Sequence, residues 1–293
     1  MIRRLAIAFA ALFCLALAAC GQGDPADLPP ANPALWEVRG ANGETGWLFG
    51  TVHRLPEQRE WRTQRLRQLV SQADLLVLET RDVGDQARLR AVFERLAKAP
   101  GQLPLTRRIA PEKRGALETL MKKAGFSDSD FAGVETWAAA LTLAQAVREQ
   151  GSGESVDAGL IALRKSIAVE ELEGTAAQLG VFDGLPEQDQ RDFLTAVVDE
   201  AGEAAARSRE LADFWAKGDM ESIAGETRRG MLVDPELREA LLLGRNRAWA
   251  DKVEALLRSG RRPFVAAGAA HMAGEEGLPA LLAARGWQVS RIQ

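Results

Sequence analysis

Two short motifs carry the only two histidines of this 293-residue chain, His53 and His271. Each histidine ends a Gly-x-x-His sequence, which begins at Gly50 or at Gly268 and follows an apolar run typical of a strand. Histidine has an unperturbed pKa near neutrality, so it serves as an acid, a base or a metal ligand. A lone histidine after a strand is more often a hydrogen-bonded or hydrated loop residue. A matched pair that uses the whole histidine supply favours one shared active site.

Two glutamates follow strands in a similar way. Glu79 ends the apolar run 75–78, where a carboxylate is costly to bury without a partner. Glu173 follows a third predicted strand, close to Glu170 and Glu171. Either glutamate can belong to the site, and either can be a strand-end carboxylate that reaches water. The sequence favours a site role for Glu79 and leaves the two interpretations of Glu173 nearly equal.

Arg245 and Asn246 lie on a helix that the sequence predicts from Pro235 to about residue 259. Leu241 and Trp249 stand four residues to either side of Arg245, which places its guanidinium on an apolar stripe. Such an arginine pairs with a buried carboxylate, binds a substrate carboxylate or oxyanion, or extends along the apolar surface to water. Spacing alone does not choose among these roles.

The elements that must position these residues alternate between strand and helix at both ends of the chain. We predict strands at about 35–39, 46–50, 74–79, 166–171, 264–267 and 287–292. The fold class is therefore α/β, with a central, mainly parallel sheet from the N- and C-terminal segments, flanking helices and a helical insertion at about 83–150. Ligand crevices form beyond the carboxyl ends of parallel strands, so the candidate residues should converge there. Gly50 and Gly268 would allow a sharp turn and a close backbone approach.

The N-terminus reads as an export signal with a lipidation site. Residues 1–19 are predicted to be a signal peptide, Cys20 a lipidated cysteine and residues 20–34 a flexible tether, ahead of a body at 35–293. An ordinary signal peptide with a chance cysteine is the alternative. We expect a lipid-anchored protein that faces the periplasm of the cell envelope, and Gly21 slightly favours the outer membrane.

Composition excludes several classes of function. The chain has two cysteines, Cys14 and Cys20, and both would leave the folded body, so neither a disulfide framework nor a cysteine nucleophile is expected. Any metal would have to bind imidazole and carboxylate. The net charge is −4, and loss of Arg3 and Arg4 with the signal makes it more negative, which argues against nucleic acid. We find no serine-hydrolase elbow, zincin helix, phosphate loop or dinucleotide fingerprint.

Taken together, these motifs resemble the TraB/PrgY/GumN family, and within it the GumN-like branch. The resemblance covers about residues 35–292 and rests on the segments Leu35-Trp36, Leu48–His53, Ala73–Glu79, Leu172-Glu173 with Gln178 and Phe182, Arg245-Asn246 and Gly268–Gly274. This family is similar to the Tiki ectodomains, which are divalent-metal-dependent proteases, and to erythromycin-esterase-like and ChaN-like proteins. The resemblance implies that His53, His271 and Glu79 form the metal or catalytic set, supported by Arg245 and Asn246.

Three functional hypotheses follow. The first is an envelope hydrolase of peptide or other amide bonds in which His53, His271 and Glu79 hold Zn, Mn or Co, Arg245 stabilises the oxyanion and Glu173 or another acid carries the proton. The sequence does not settle whether Glu79 is a metal ligand or the free base. The second is a metal-independent hydrolase in which a glutamate–histidine pair activates water. The third is a lipoprotein that binds a peptide or metal without turnover. The expected partners are a peptide or protein substrate and the membrane through the lipid anchor, and the sequence leaves the oligomeric state open.

Overall fold

The computed structural model describes residues 29–52, 55, 59–147, 155–163 and 166–293. The predicted signal peptide 1–19, the predicted lipidation site Cys20 and the first motif histidine, His53, lie outside the described residues. Near the start of the described chain, the backbone N–H of Ala31 donates to the carbonyl of Glu60, and Ala31 and Ala34 are buried. The last residues of the predicted tether therefore pack against the body.

Six strands form one sheet, and they confirm the predicted α/β class. The strands are β1 (Leu35–Arg39), β2 (Thr45–Thr51), β3 (Leu75–Leu78), β4 (Ala168–Glu171), β5 (Pro263–Gly268) and β6 (Gln288–Arg291), in the spatial order β4-β3-β5-β2-β1-β6. The pairs β4–β3, β3–β5 and β5–β2 are parallel, whereas β1 is antiparallel to both of its neighbours. The C-terminal strand β5 thus lies between two N-terminal strands.

The strand sequences explain these positions in the sheet. Every residue of β3 is buried, as expected for an unbroken apolar run covered on both faces. By contrast, β4 is half-buried at the sheet edge. The β1–β2 hairpin turns through Gly43, which has φ of 93°, a value that glycine adopts at little cost.

Helices cover both faces of the sheet and fill the middle of the chain. They are α1 (Gln64–Gln72), α2 (Gln86–Leu96), α3 (Arg114–Lys123), α4 (Thr136–Val147), α5 (Val156–Leu163), α6 (Thr175–Asp183), α7 (Glu187–Glu200), α8 (Ala204–Lys217), α9 (Met220–Glu226), α10 (Pro235–Arg238), α11 (Gly244–Arg258) and α12 (Leu278–Ala284). A π-helical turn at Glu239–Leu243 joins α10 to α11 without a break. Among the helices of the described residues, none has the length and apolar character that crossing a bilayer requires.

Side chains alternate between two apolar layers, one on each face of the sheet. Phe49 and Phe264 pack with Trp215 on one face, whereas Leu48 and Val265 pack on the other. This alternation follows from the two-residue period of a strand. The second layer contains Trp249 of α11, so the helix that carries Arg245 is fixed against the sheet through its apolar stripe.

A third apolar cluster lies among the helices of the middle of the chain. It joins residues of α2, α3 and α4 to Leu179 of α6 and to Phe193 and Leu194 of α7. Leu241, one turn before Arg245, also belongs to it. The proposed insertion at 83–150 therefore shares its core with later helices and with the helix that carries the candidate site.

One buried cation fastens the backbone of this helical region. Arg108 is 1% exposed. Its Nε donates to the carbonyl of Leu103 at 2.7 Å, and its two terminal nitrogens donate to the carbonyls of Val134 at 2.7 Å and Phe131 at 2.9 Å. Burial lowers the pKa of Arg108, and the charge of Glu187 opposes that shift. The charge is satisfied mainly by backbone carbonyls.

We predict that Arg108→Met destabilises the protein by about 3 kcal/mol, because it removes the guanidinium donor from the carbonyls of Leu103 and Val134 and one of the two donors from that of Phe131. Urea unfolding measures the change as a shift of the midpoint. The matched control is Arg107→Met, since Arg107 is the exposed neighbour, and its effect should stay within about 0.5 kcal/mol. Equal midpoints for the two variants would show that the buried guanidinium contributes nothing specific.

Candidate functional site

Three of the predicted site residues follow parallel strands at the same edge of the sheet. Glu79 comes directly after β3, and Glu173 comes two residues after β4. His271 lies in a short 3-10 turn, Ala269–Met272, directly after β5. Because these strands are neighbours and run in the same direction, their carboxyl ends bring the three side chains to one place. The convergence predicted for these three residues is therefore observed.

Backbone groups around Glu79 hold these strand ends together. The N–H of Gly268, the last residue of β5, donates to Glu79 Oε1 at 2.7 Å. The N–H groups of Glu173 and Gly174 donate to the Glu79 carbonyl at 3.2 and 3.0 Å. One residue thus links the ends of three strands, through its side chain on one side and its backbone on the other.

The motif glycines provide space rather than a special turn. The chain passes directly from β5 into the 3-10 turn at Gly268, but φ of −47° and ψ of 136° are values that any residue can adopt, so this turn needs no glycine-specific backbone conformation. A Cβ atom at Gly268 would lie 3.2 Å from Glu79 Oε1. At Gly50 a Cβ atom would lie 3.1 Å from the Cα atom of Ala269. The expected close approach is correct at both positions.

Arg245 joins the two glutamates. Its Nη2 donates to Glu79 Oε2 at 3.1 Å, and its Nε donates to Glu173 Oε2 at 3.0 Å. Nη2 also contacts Glu173 Oε1, so the pair with Glu173 is bidentate. The side chains of Arg245, Glu79 and Glu173 are 14%, 13% and 10% exposed, which makes this a largely desolvated ion triad. Of the roles open to Arg245, the structure shows pairing with buried carboxylates.

The remaining donor of Arg245 faces the second motif histidine. Nη1 donates to the Leu241 carbonyl at 3.1 Å and lies 3.3 Å from His271 Nε2. The guanidinium carbon stands 4.6 Å from the centre of the Trp249 ring. Gly244 precedes Arg245 at the end of the π-helical turn, and a Cβ atom there would lie 3.1 Å from the Glu239 carbonyl. The π turn, a feature frequent at functional sites, thus sets the position on the helix from which the Arg245 side chain extends.

Asn246 fixes the tautomer of His271. The Asn246 Nδ2 group donates to the Glu276 carbonyl at 2.7 Å, so its Oδ1 is the atom that faces His271 Nδ1 at 2.6 Å. An amide oxygen only accepts, so this network assigns a proton to Nδ1. Because an arginine nitrogen only donates, Arg245 Nη1 at 3.3 Å then assigns the acceptor role to Nε2 of a neutral imidazole. The Nε2 lone pair then points toward Arg245. Asn246 is buried, and His271 is 7% exposed with its ring 4.4 Å from Trp249.

We call Glu79, Glu173, Arg245, Asn246 and His271 the polar cluster. Burial raises the pKa of Glu173, the hydrogen bond and charge of Arg245 lower it, and the charge of Glu79 raises it again. The net direction is upward. One guanidinium does not compensate two desolvated carboxylates, so a proton on Glu173 is favoured more than in water.

Gln178 also contacts the polar cluster, although the sequence did not assign it a site role. Its Nε2 donates to Glu79 Oε2 at 2.8 Å from the first turns of α6. The signal was its position five residues after Glu173, at the start of the helix that follows the β4 strand. Trp249, which covers Arg245 and His271, was visible in the sequence only as a member of an apolar stripe.

An open cavity of about 770 Å³ adjoins the polar cluster. Glu173 and Arg245 line it, together with apolar side chains that include Leu172, Leu185 and Trp249. The polar cluster therefore has one side against the sheet and another toward a space that a ligand can enter.

Two groups of the polar cluster, an imidazole nitrogen and a carboxylate oxygen, are of the types that bind divalent metal ions. His271 Nε2 is an unprotonated nitrogen whose ring is oriented by Asn246, as in the outer shell of many metal sites. Both Nε2 and Glu79 Oε2 face the same cation, the guanidinium of Arg245. Within the described residues no group of three His, Cys, Asp or Glu side chains has a metal-binding arrangement. A complete set needs a ligand such as His53, which lies outside them.

Comparison with known proteins gives one match. The model of the TraB/PrgY/gumN family matches residues 34–291. This range includes every helix and strand that the structure describes and all five residues of the polar cluster. No curated protein and no solved structure gives a significant match to the chain.

We predict that Glu79→Gln lowers the pKa of Glu173, because it removes a neighbouring negative charge and leaves Arg245 to Glu173 alone. Arg245→Met should instead raise the pKa of Glu173 above its wild-type value, because it removes the neighbouring positive charge. Carboxyl ¹³C NMR titration measures both shifts, with the resonance of Glu173 assigned by its loss in Glu173→Gln. A Glu118→Gln variant, changed at an exposed position on α3, should leave the Glu173 titration unchanged.

The raised pKa of Glu173 makes the free energy of unfolding depend on pH. Because the folded pKa of Glu173 is raised, its contribution to stability is complete below the unfolded pKa and is lost as pH rises through the folded pKa. A Glu173 pKa that stays constant or rises in Glu79→Gln would contradict the coupling of the two carboxylates.

Proposed function

This chain belongs to the TraB/PrgY/gumN family, and on that premise we propose that it is a hydrolase of peptide or other amide bonds. One observation carries the proposal: a single arginine joins two carboxylates and an imidazole beside an open cavity. Amide hydrolysis needs an activated water, a charge to stabilise the oxyanion and a proton for the leaving amine. The polar cluster has a candidate for each task.

Arg245 and Glu173 are the candidates that face the cavity. The guanidinium of Arg245 stabilises negative charge that develops on the scissile carbonyl oxygen, and its effect is large because the side chains of the polar cluster are largely desolvated. Its ion pair with Glu173 and its stacking on Trp249 hold it in place before substrate binds. Glu173 carries the proton to the leaving nitrogen, a role that suits a carboxyl group with a raised pKa.

The base that activates water is Glu79 or His271. In the metal-independent form of the hypothesis, His271 Nε2 takes a proton from water while Asn246 holds Nδ1–H, and Glu79 balances the added charge. The fixed Nδ1–H tautomer of His271 favours this metal-independent mechanism. In the metal-dependent form, His53, His271 and Glu79 bind the ion, and Glu79 is then a ligand rather than a free base. A bound divalent ion would supply a water of lowered pKa and polarise the carbonyl.

Metal content separates the two forms. We expect the purified protein to contain about one Zn, Mn or Co ion per chain by elemental analysis, and His53→Ala and His271→Ala to lose it. Chelation should then abolish turnover of a broad peptide library, and return of the ion should restore it. Full turnover by metal-free protein would end the metal-dependent form and leave the glutamate–histidine form.

The Glu79→Gln variant tests for catalysis itself. If the chain is an enzyme, this variant keeps its affinity for a substrate peptide but loses turnover by about 100-fold or more, because a proton-transfer or ligand group is removed. Glu118→Gln serves as the matched control and should retain full activity. Turnover in neither the wild type nor the variant, with peptide binding in both, would favour the binding lipoprotein.

We also propose that the protein is anchored in the cell envelope by lipid on Cys20 and faces the periplasm. The apolar signal and the small residues before Cys20 support this location. Cys20→Ala should remove the mass of the acyl groups and release the protein from washed membranes, because two or more acyl chains supply the anchoring energy. An unmodified Cys20 in the membrane-bound wild type, measured by intact-mass spectrometry, would refute lipidation.

A further inference from the structure

The cavity beside Arg245 extends well beyond the polar cluster. Its volume of about 770 Å³ lies within the range of about 300–1,000 Å³ that is common for ligand sites. One wall comes from α6 and the start of α7, with Val181 and Leu185. Another part of the lining comes from α10, the π-helical turn and α11, with Ala240 and Trp249. The surface between the walls is mainly apolar and accommodates an apolar chain.

The outer part of the cavity carries negative charge. We define the acidic rim as Asp189 on α7 and Glu236 on α10, which both line the cavity. No basic side chain of the described residues forms an ion pair with either carboxylate. Burial and the charges of Asp234 and Glu236 raise the pKa of Asp189, which is the effect of carboxylates that repel one another without a nearby cation.

The one basic residue among the described cavity-lining residues does not compensate this charge. Arg245 already forms ion pairs with Glu79 and Glu173, so its positive charge is compensated within the polar cluster. Glu239 also lines the cavity but pairs with Arg247 outside it. An apolar floor that ends in two uncompensated carboxylates is complementary to a cation on an apolar stem.

We propose that this cavity binds a lysine or arginine side chain of a peptide substrate. Both side chains combine an aliphatic stem with a cationic end, which matches the apolar walls and the acidic rim. The inference rests on the proposed function, and it adds a preference for basic residues close to the bond that is cleaved. The stem lies along Leu185 and Ala240, and the cation lies between Asp189 and Glu236. The peptide backbone then passes over Arg245 and Glu173.

The test compares peptides that differ at one position. Fluorescently labelled alanine pentapeptides with a central lysine, arginine, norleucine or glutamate are titrated into the full chain carrying Glu79→Gln, and anisotropy measures their binding. We expect the basic peptides to bind about 10-fold more tightly than the norleucine peptide, as two partly exposed ion pairs allow. Raising the salt concentration should reduce this ratio.

The decisive variant is Asp189→Asn with Glu236→Gln, which neutralises the acidic rim and preserves its shape. It should reduce the preference for basic peptides to less than about 2-fold while the norleucine peptide binds as before. Glu118→Gln with Glu210→Gln makes the same change in net charge at exposed positions on α3 and α8, and the preference should persist. If the rim variant unfolds, each single substitution should reduce the preference by about 3-fold.

The outcomes separate this inference from the proposed function. Equal binding of lysine and norleucine peptides, or equal ratios in the rim and control variants, overturns the basic side-chain site. Free N-acetyl-lysine amide that competes as strongly as the peptides also overturns it, because the site would then take a small amine rather than a peptide. Turnover without a basic preference overturns only this inference. A rim-dependent preference without any turnover supports it and refutes the hydrolase.

Discussion

The carboxylates of Glu79 and Glu173 lie next to each other in a desolvated site because the guanidinium of Arg245 lies between them. Two such carboxylates at adjacent parallel strand ends would repel each other and lose hydration with no compensation. Arg245 contributes three donors to them and directs a further one toward His271. The planar, permanently charged fork of arginine suits this arrangement, and a lysine could not reproduce its geometry.

That interaction depends in turn on how the two ends of the chain share one sheet. Glu79 follows β3, His271 follows β5, and β5 pairs with β3 on one side and with β2 on the other. Neither the N-terminal half nor the C-terminal half can form the site alone. Arg245 reaches the sheet edge because Trp249 packs against one face and the π-helical turn sets the start of α11. Packing and ion pairing are therefore parts of the same constraint.

The sequence predicted the fold well where a local pattern had one meaning. The unbroken apolar run before Glu79 and the apolar stripe around Arg245 each indicated the correct element. Site residues were predictable when they followed a strand, since parallel strands converge at their carboxyl ends. The site role of Gln178 was missed although the residue belongs to a visible motif, because its contact with Glu79 depends on how α6 packs against the strand ends. The acidic rim was missed because it depends on how α7 and α10 pack together, which no local pattern records. The close approach at Gly268 was predicted, but the carboxylate that requires the space lies 189 residues away in the sequence.

The polar cluster and the acidic rim of the cavity differ in how far their charges are paired. This difference suits the cluster to act on a reacting group and the rim to attract a ligand. In the cluster the charges are desolvated, paired and fixed by several hydrogen bonds each, which is the condition for strong and oriented electrostatic effects on a reacting group. At the acidic rim the carboxylates are partly hydrated and form no ion pair with a described residue, so they can attract a ligand without demanding one geometry. Because Arg245 belongs to the cluster and also lines the cavity, a ligand drawn to the rim would lie close to the group that stabilises an oxyanion in the proposed function. Attraction at the acidic rim would thus bring the ligand toward the ordered charges of the polar cluster.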